Sequence, residues 1–352
     1  MRTILAVTLV LGLAAPTWTQ PRAVTIEDVL DLKAVASPAV APDGSRVLYT
    51  VQSWAAASER DPDRKEARTH VWMAPLDGGP PRQITFGARG DTQPAFSPDG
   101  RYISFVSARG TGTGDDPPRP QLHVMRADGG EARAVTAAPE GVLAYAWSPD
   151  STRLAYVSLD PRSPEDEARL KRRDVARLYV GDFRPRHLWV VGIGEAARAE
   201  RLTEGTDFTV ASGPPSWSPD GARLAFSAGA TPMLRDERRD VYVVDVTTRG
   251  VRKVSTNPGS DDSPRWSPDG RWIAWVSSPN GGAPIADGTL VYQVTQSRLA
   301  LYDVAAGAVK DAGSPRFDLE AGTPMWTPDS TRILFSTGRR AYTDLFAYEI
   351  AS

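Results

Sequence analysis

No cysteine occurs in the 352-residue chain, which excludes disulfides, thiolate metal ligands, a cysteine nucleophile and a lipid-modified cysteine, and leaves the fold to rest on its core. Histidine is nearly as scarce, with only His70, His123 and His187. Excess charge of either sign is missing too: 41 Lys plus Arg face 43 Asp plus Glu, so no field recruits a polyanion, and nucleic acid is excluded as a partner. Long apolar runs are confined to Ile4 to Ala15, too short for a membrane span. Behind Arg2, and followed by polar Pro16 to Gln20, that run reads as a secretory signal peptide over residues 1–20, with Gly12-x-Ala14 or Thr17-x-Thr19 offering small residues at the cut. The expected location is periplasmic or secreted.

What the chain has in quantity is repetition. Asp262-Ser-Pro-Arg-Trp-Ser-Pro-Asp-Gly-Arg-Trp-Ile-Ala-Trp-Val-Ser277 returns in outline around Pro42-Asp43-Gly44, Pro98-Asp99-Gly100, Pro149-Asp150-Ser151, Pro219-Asp220-Gly221 and Pro328-Asp329-Ser330. In each copy after the first an aromatic, Phe96, Trp147, Trp217, Trp266 or Trp326, closes a short strand before the turn. Proline presets the second turn position, Asp tolerates the third, and Gly accepts the left-handed backbone where the return strand begins. Ser151 and Ser330 occupy that glycine slot. The pattern therefore predicts a left-handed serine at both, and a gain of about 1 kcal/mol on replacement by Gly.

After each turn come β-branched and aromatic segments such as Tyr102-Ile103-Ser104-Phe105 and Trp272-Ile273-Ala274-Trp275, then third segments such as Val71-Trp72-Met73 and Leu188-Trp189-Val190, then short fourth ones ending Ile84-Thr85, Val135-Thr136, Leu202-Thr203 and Val254-Ser255, all strand-forming. Four short strands per repeat, at a spacing somewhat above that of WD-type units, predict an all-β propeller. It has five complete blades and a partial sixth, extends over residues 24–352, and follows a short lead helix at Thr25 to Leu32 whose apolar Ile26, Val29 and Leu30 are expected to lie across the propeller's edge. The sixth blade, Thr323 to Ile350, supplies three strands, which reads as a propeller truncated at its C-terminus.

The connections between second and third strands carry the irregular sequence. Ala55 to Arg68, a charge run, reads as a solvated loop, and Gly110 to Pro118 as a flexible one, since a phosphate-cradling loop would need a Lys-Ser/Thr and a following helix. Ser163-Pro164-Glu165-Asp166-Glu167 opens a helix through Arg173, with its cap, proline and charges all correctly placed. Asp174 to Phe183 is expected as an extra strand or ordered loop, Arg235 to Arg239 as a hairpin tip, and Asn280-Gly281-Gly282 as a loop.

No residue is singled out for catalysis, metal or cofactor binding. His70 and His187 sit just before third strands, and His123 fills the slot of Trp72, Trp189, Tyr242 and Phe346. All three read as parts of the repeat, and no Gly-x-Ser-x-Gly elbow occurs. Adjacent carboxylates at Asp115-Asp116 and Asp261-Asp262 lack further ligands at binding-loop spacing. The same histidine slots disfavour a metal-dependent lyase.

The lead helix, the Trp-Ser-Pro-Asp-Gly blades, the insertion from Ser163 to Arg173, and the following His187-Leu188-Trp189-Val190 with Arg201-Leu202-Thr203 resemble secreted bacterial peptidases of the prolyl oligopeptidase family, above all the acylaminoacyl-peptidase and dipeptidyl-peptidase branches. The repeat by itself is also TolB-like. The resemblance implies a propeller that gates substrate to a C-terminal α/β-hydrolase domain bearing a Ser-Asp-His triad. No residue here matches that triad, so the chain alone is expected to be inactive, with peptide substrate as the partner of the whole enzyme. The paired glutamates of the dipeptidyl-peptidase branch have only Asp166-Glu167 and Asp236-Glu237 as counterparts, and neither pair is Glu-Glu. The alternative implied by the TolB-like repeat is a stand-alone periplasmic propeller that binds another protein.

Overall fold

The computed structural model describes residues 23–350 apart from 59–60, 88, 111–117, 173–182, 207, 231–237, 258, 279–296, 312–320 and 340–341. The expected signal peptide, the Asp115-Asp116 and Asp236-Glu237 pairs, the extra strand after residue 174 and the loop at Asn280 lie largely or wholly outside these residues. Six antiparallel sheets follow one another along the chain as the blades of a β-propeller. Blades one, two, three and five pair their four strands in simple order, and blade six has three strands. In blade four the innermost strand is split into Thr209–Val210 and Ser216–Trp217, both paired to Arg223–Gly229. The break falls at Gly213-Pro214-Pro215, where two residues in succession lack a ladder donor.

The turn is held by its own side chains. Ser97 Oγ donates to Asp99 Oδ1 at 2.6 Å and accepts the Tyr102 N–H at 2.9 Å, while Asp99 Oδ1 accepts the Arg101 N–H at 3.0 Å. Ser148, Ser218, Ser267 and Thr327 repeat the pattern with Asp150, Asp220, Asp269 and Asp329. Each hydroxyl thus closes the hairpin end that proline, with no N–H, leaves open. Blade one has Ala41 in the serine slot, and there Asp43 turns to Ser45 instead, at 2.7 Å. The glycine slot is left-handed throughout, with φ between 67° and 74° at Gly44, Gly100, Gly221 and Gly270, and φ of 60° at both Ser151 and Ser330. The two serines do more than fill it. Ser151 Oγ accepts the N–H of Asp99 in the preceding blade's turn, and Ser330 Oγ accepts that of Asp269, each at 3.0 Å. The gain expected from glycine is offset by this clasp.

Burial is organised by pairs of blades. Leu48, Val71 and Met73 of blade one pack against Phe96, Ile103 and Phe105 of blade two. Corresponding clusters join blades two and three, three and four, four and five, and five and six. Over four of these contacts the residue after the turn stacks on the next blade's aromatic: Arg46 over Phe96 at 5.7 Å, Tyr102 on Trp147 at 6.4 Å, Arg153 over Trp217 at 5.1 Å and Arg223 over Trp266 at 5.5 Å. Among the described residues no such cluster joins blade six to blade one. Their facing slots are open: Val35 is 67% exposed on blade one, and Met325 and Leu345 are 53% and 64% exposed on blade six. Blade one has Val40 where the other blades have the stacking aromatic.

Two expectations need correcting. The lead helix forms at Ile26–Leu30 with a full Thr25–Asp28 capping box, but it buries nothing, and Ile26 is 75% exposed. Local capping suffices to start the turn and does not need a docking surface. The charge run between Ala55 and Arg68 is a ribbon rather than a loop. Strands Arg46–Ser58 and Asp61–Pro75 pair through Ala56 and Lys65, and Arg68 Nη2 donates to the Ala56 carbonyl at 2.6 Å. Two long polar strands satisfy each other's backbone without an apolar face.

Candidate functional site

Because the Ser-Pro-Asp-Gly turns join first to second strands, every second-to-third connection emerges at the opposite end of the propeller. That end is where the blades cease to resemble one another. It bears the blade-one ribbon and, in blade three, the helix Pro164–Lys171, whose Ser163 and Asp166 cap one another at 2.8 and 3.1 Å. Asp166 is therefore engaged in starting its helix.

Beneath these connections lies a regular device. In blades one to four the Thr or Ser two residues beyond the fourth strand accepts the first buried N–H of the third strand: Val71 to Thr85, Leu122 to Thr136, Leu188 to Thr203 and Val241 to Ser255, at 2.9 to 3.0 Å. The hydroxyl then meets an acceptor one residue upstream, Gln121 Oε1 at 2.8 Å, His187 Nδ1 at 3.1 Å or Asp240 Oδ1 at 2.9 Å. The sequence displays these hydroxyls at fixed repeat positions, yet their role becomes visible only with the third strand alongside.

At His187 the device resembles a catalytic relay. Thr203 Oγ1 lies on Nδ1, and Asp160 Oδ2 lies 3.4 Å from Nε2. Burial holds the imidazole pKa below its usual value, aided by the Arg201 charge and opposed by Asp160, so a neutral ring accepts from threonine and faces Asp160 with its N–H. Both His187 and Thr203 are buried, and the threonine oxygen is already the acceptor that its counterparts are in other blades. A nucleophile needs access as well as a base.

Ion pairs line the same end. Asp91, fully buried, takes Arg109 at 2.7 Å and has His70 of the preceding blade 3.8 Å away. Glu140 gathers Arg184 at 3.0 Å and Arg162 at 3.6 Å, Asp160 takes Arg201 at 3.2 Å, Asp240 takes Lys253 at 2.7 Å, and Asp262 takes Arg239. His123 stacks on Phe105 at 5.6 Å and meets the Gln121 carbonyl at 3.0 Å. Its pKa is pushed down by burial. Asp261 and Asp262 diverge: the first accepts from Trp275 Nε1 at 2.8 Å, the second faces Arg239. Burial raises the Asp261 pKa against hydrogen bonds from Ser277, Trp275, Asn257 and Ser255, and Asp261 Oδ2 has no partner. Among the described residues no three His, Cys, Asp or Glu side chains gather as a metal would require.

A family model described as the TolB β-propeller domain matches residues 191–290. The chain carries a TolB-like β-propeller. Peptidases and TolB proteins are both among the proteins it is similar to. It is 27% identical over 347 residues to dipeptidyl-peptidase 5 of Porphyromonas gingivalis, a match covering 92% of this chain and 47% of that protein. It is 29% identical over 232 residues to YuxL of Bacillus subtilis, an uncharacterized peptidase, covering 63% of this chain and 34% of that one. The chain thus spans less than half the length of these relatives. An acylaminoacyl peptidase structure superposes with a TM-score of 0.60 at 16% identity, over 91% of this chain and 46% of that one, which is a likeness of fold. No helix among the described residues is long and apolar enough to cross a membrane.

Proposed function

We propose that this chain is the non-catalytic, substrate-gating propeller of a secreted serine peptidase of the prolyl oligopeptidase family, whose hydrolysis is carried out by an α/β-hydrolase unit that this chain does not supply. The match to a dipeptidyl-peptidase along 92% of the chain carries the reading. The end bearing the blade-one ribbon and the blade-three helix is the one that would select what reaches the hydrolase, since it alone varies from blade to blade. Neither His187 nor Thr203 is presented to substrate, so this pair supplies no activated hydroxyl. The propeller carries no cofactor or metal in this reading, and the signal peptide expected at residues 1–20 exports it.

The deciding experiment joins genetics to labelling. The coding sequence beyond the Ser352 codon is read, and this chain and any longer product are treated with a fluorophosphonate probe. A downstream Gly-x-Ser-x-Gly frame, with labelling only of the longer product, supports the reading. A stop codon with no hydrolase frame sinks it, and so does labelling of this chain that one Ser→Ala change abolishes. The TolB-like match at residues 191–290 supports a second reading, a stand-alone periplasmic module that binds another protein. Recovery of a single stoichiometric partner from periplasm by this chain, together with the stop codon, would favour it.

A further inference from the structure

The innermost strands end in a slot just before the aromatic, and that slot is small in the first four blades: Ala39, Ala95, Ala146 and Ser216. As the innermost strands of the blades, these segments lie nearest the propeller's centre, and the four small side chains are only partly buried there. In blade five the slot holds Arg265, on strand Ser260–Trp266. Its Nη1 donates to the Pro264 carbonyl at 3.0 Å and to the Pro214 carbonyl, in the inner segment of blade four, at 3.3 Å. Both acceptors are neutral.

Among the described residues Arg265 has no ion pair, and this sets it apart from the arginines that line the opposite end of the propeller in blades two to four. Of the two carboxylates on its own strand, Asp262 is taken by Arg239 and Asp261 accepts from Trp275 Nε1. The Arg265 backbone is fixed from the next blade, where Trp326 Nε1 donates to the Arg265 carbonyl at 3.0 Å. Burial lowers the guanidinium pKa, with only the Asp262 charge acting against it. A partly desolvated cation whose partners are two carbonyls retains unused N–H groups in a fork that matches a carboxylate. In blade six the same slot holds exposed Met325, which puts an apolar side chain on the neighbouring inner strand.

We propose that Arg265 is a carboxylate-binding site at the propeller axis, taking the free C-terminal carboxylate of a peptide whose last side chain is apolar and rests on Met325. The site deepens the reading of the propeller as a peptide-admitting unit and rests on it. Its assay, however, uses this chain alone and reads no hydrolysis, so failure of the site and failure of the hydrolase partnership are told apart.

Fluorescein-labelled Gly-Gly-Leu is titrated with the chain and followed by anisotropy, alongside the C-terminally amidated peptide and an amidated Gly-Asp-Leu. The free acid is expected to bind about tenfold more tightly than the amide, the scale of one charge-assisted hydrogen-bonded pair. Arg265→Gln should remove that preference, and Arg265→Lys should keep part of it, which controls for folding together with an unchanged near-UV circular dichroism spectrum. Binding of amidated Gly-Asp-Leu as tight as that of the free acid would overturn the C-terminal assignment. Equal binding of acid and amide, undiminished preference in Arg265→Gln, or no binding by the unmodified chain would each overturn the site.

Discussion

Leu48 and Leu334 occupy the same repeat slot, two residues after the start of their second strands, and their surroundings could hardly differ more. Leu48 is fully buried against blade two. Leu334 is only half-buried, on the blade-six face that carries exposed Met325 and Leu345. Identical chemistry therefore stabilises by an amount that the neighbouring blade decides, as expected where each repeat gains most of its stability from the next. Among the described residues five apolar clusters join consecutive blades, and blade six and blade one turn open faces outward.

The largest expected effect tests that difference directly. Leu48→Ala should cost about 2–5 kcal/mol, the scale of a buried large-to-small change, whereas Leu334→Ala should cost about 1 kcal/mol or less. Denaturant unfolding of the two variants measures both. Equal losses would mean that blade six is covered in solution and the contrast is false.

A second contrast separates the two ends of the propeller by pH. Asp329 is held at about 2 by hydrogen bonds from the Thr327 hydroxyl and the Thr331 backbone. Asp99 also lies at about 2, where burial pushes it up but Ser97 and Arg101 hold it down more strongly. Their folded pKa lies below the unfolded one, so their stabilisation is complete above about pH 4 and is lost as pH falls toward 2. Asp261, at the other end, has its pKa raised by burial. Its sign is opposite: the fold prefers the protonated form, and this residue's contribution improves as pH falls. Asp329→Asn should thus flatten the acid limb of a stability-versus-pH curve, while Asp261→Asn should raise stability at neutral pH. A lower neutral-pH stability in Asp261→Asn would show that the carboxylate is needed charged.

The turns and strands were legible because they are local. Ser-Pro-Asp-Gly specifies its conformation within four residues, and Ile103 or Trp275 signals a strand by its own shape. Contacts across the chain were not. Nothing in the spacing of His70 and Asp91, or of Thr203, His187 and Asp160, shows that blade packing and strand pairing bring them together. The blade-one ribbon eluded a reading by composition, since polar residues such as Arg64 and Glu66, 3.1 Å apart as an ion pair, signal solvent exposure but not backbone pairing. The Arg265 slot could have been found by aligning the residues before each aromatic, where one arginine follows three alanines and a serine.

The stacking row offers a smaller test of the same contrast. Arg46 lies over Phe96 of the next blade at 5.7 Å, while the side chain of Arg332, in the equivalent place, pairs among the described residues with Glu349 of its own blade at 3.5 Å. Arg46→Ala should cost about 0.5–1 kcal/mol, and Arg332→Ala close to nothing, as for an exposed ion pair. Thermal unfolding at matched ionic strength checks both, and a larger loss at Arg332 would place a partner on blade six.

The smallest expected effect lies at the two serine turns, where opposing contributions are closely matched. A non-glycine residue at φ of 60° is disfavoured by about 1 kcal/mol, which glycine would relieve. Glycine would also remove the acceptor for the Asp269 N–H at Ser330, or for the Asp99 N–H at Ser151, each at 3.0 Å, a loss of about 1 kcal/mol. Ser330→Gly should therefore leave stability unchanged to within about 0.5 kcal/mol, the remainder of two nearly equal contributions. Ser330→Ala separates them, because alanine keeps the disfavoured backbone and loses the hydrogen bond, and it should be less stable than the glycine variant by about 1 kcal/mol. Ser330 is buried where blade six meets blade five, so the pair of variants also measures how firmly that blade is held. Full stabilisation by about 1 kcal/mol in Ser330→Gly would mean that the clasp contributes nothing and that blade six is held by its apolar cluster and the Trp326–Arg265 hydrogen bond.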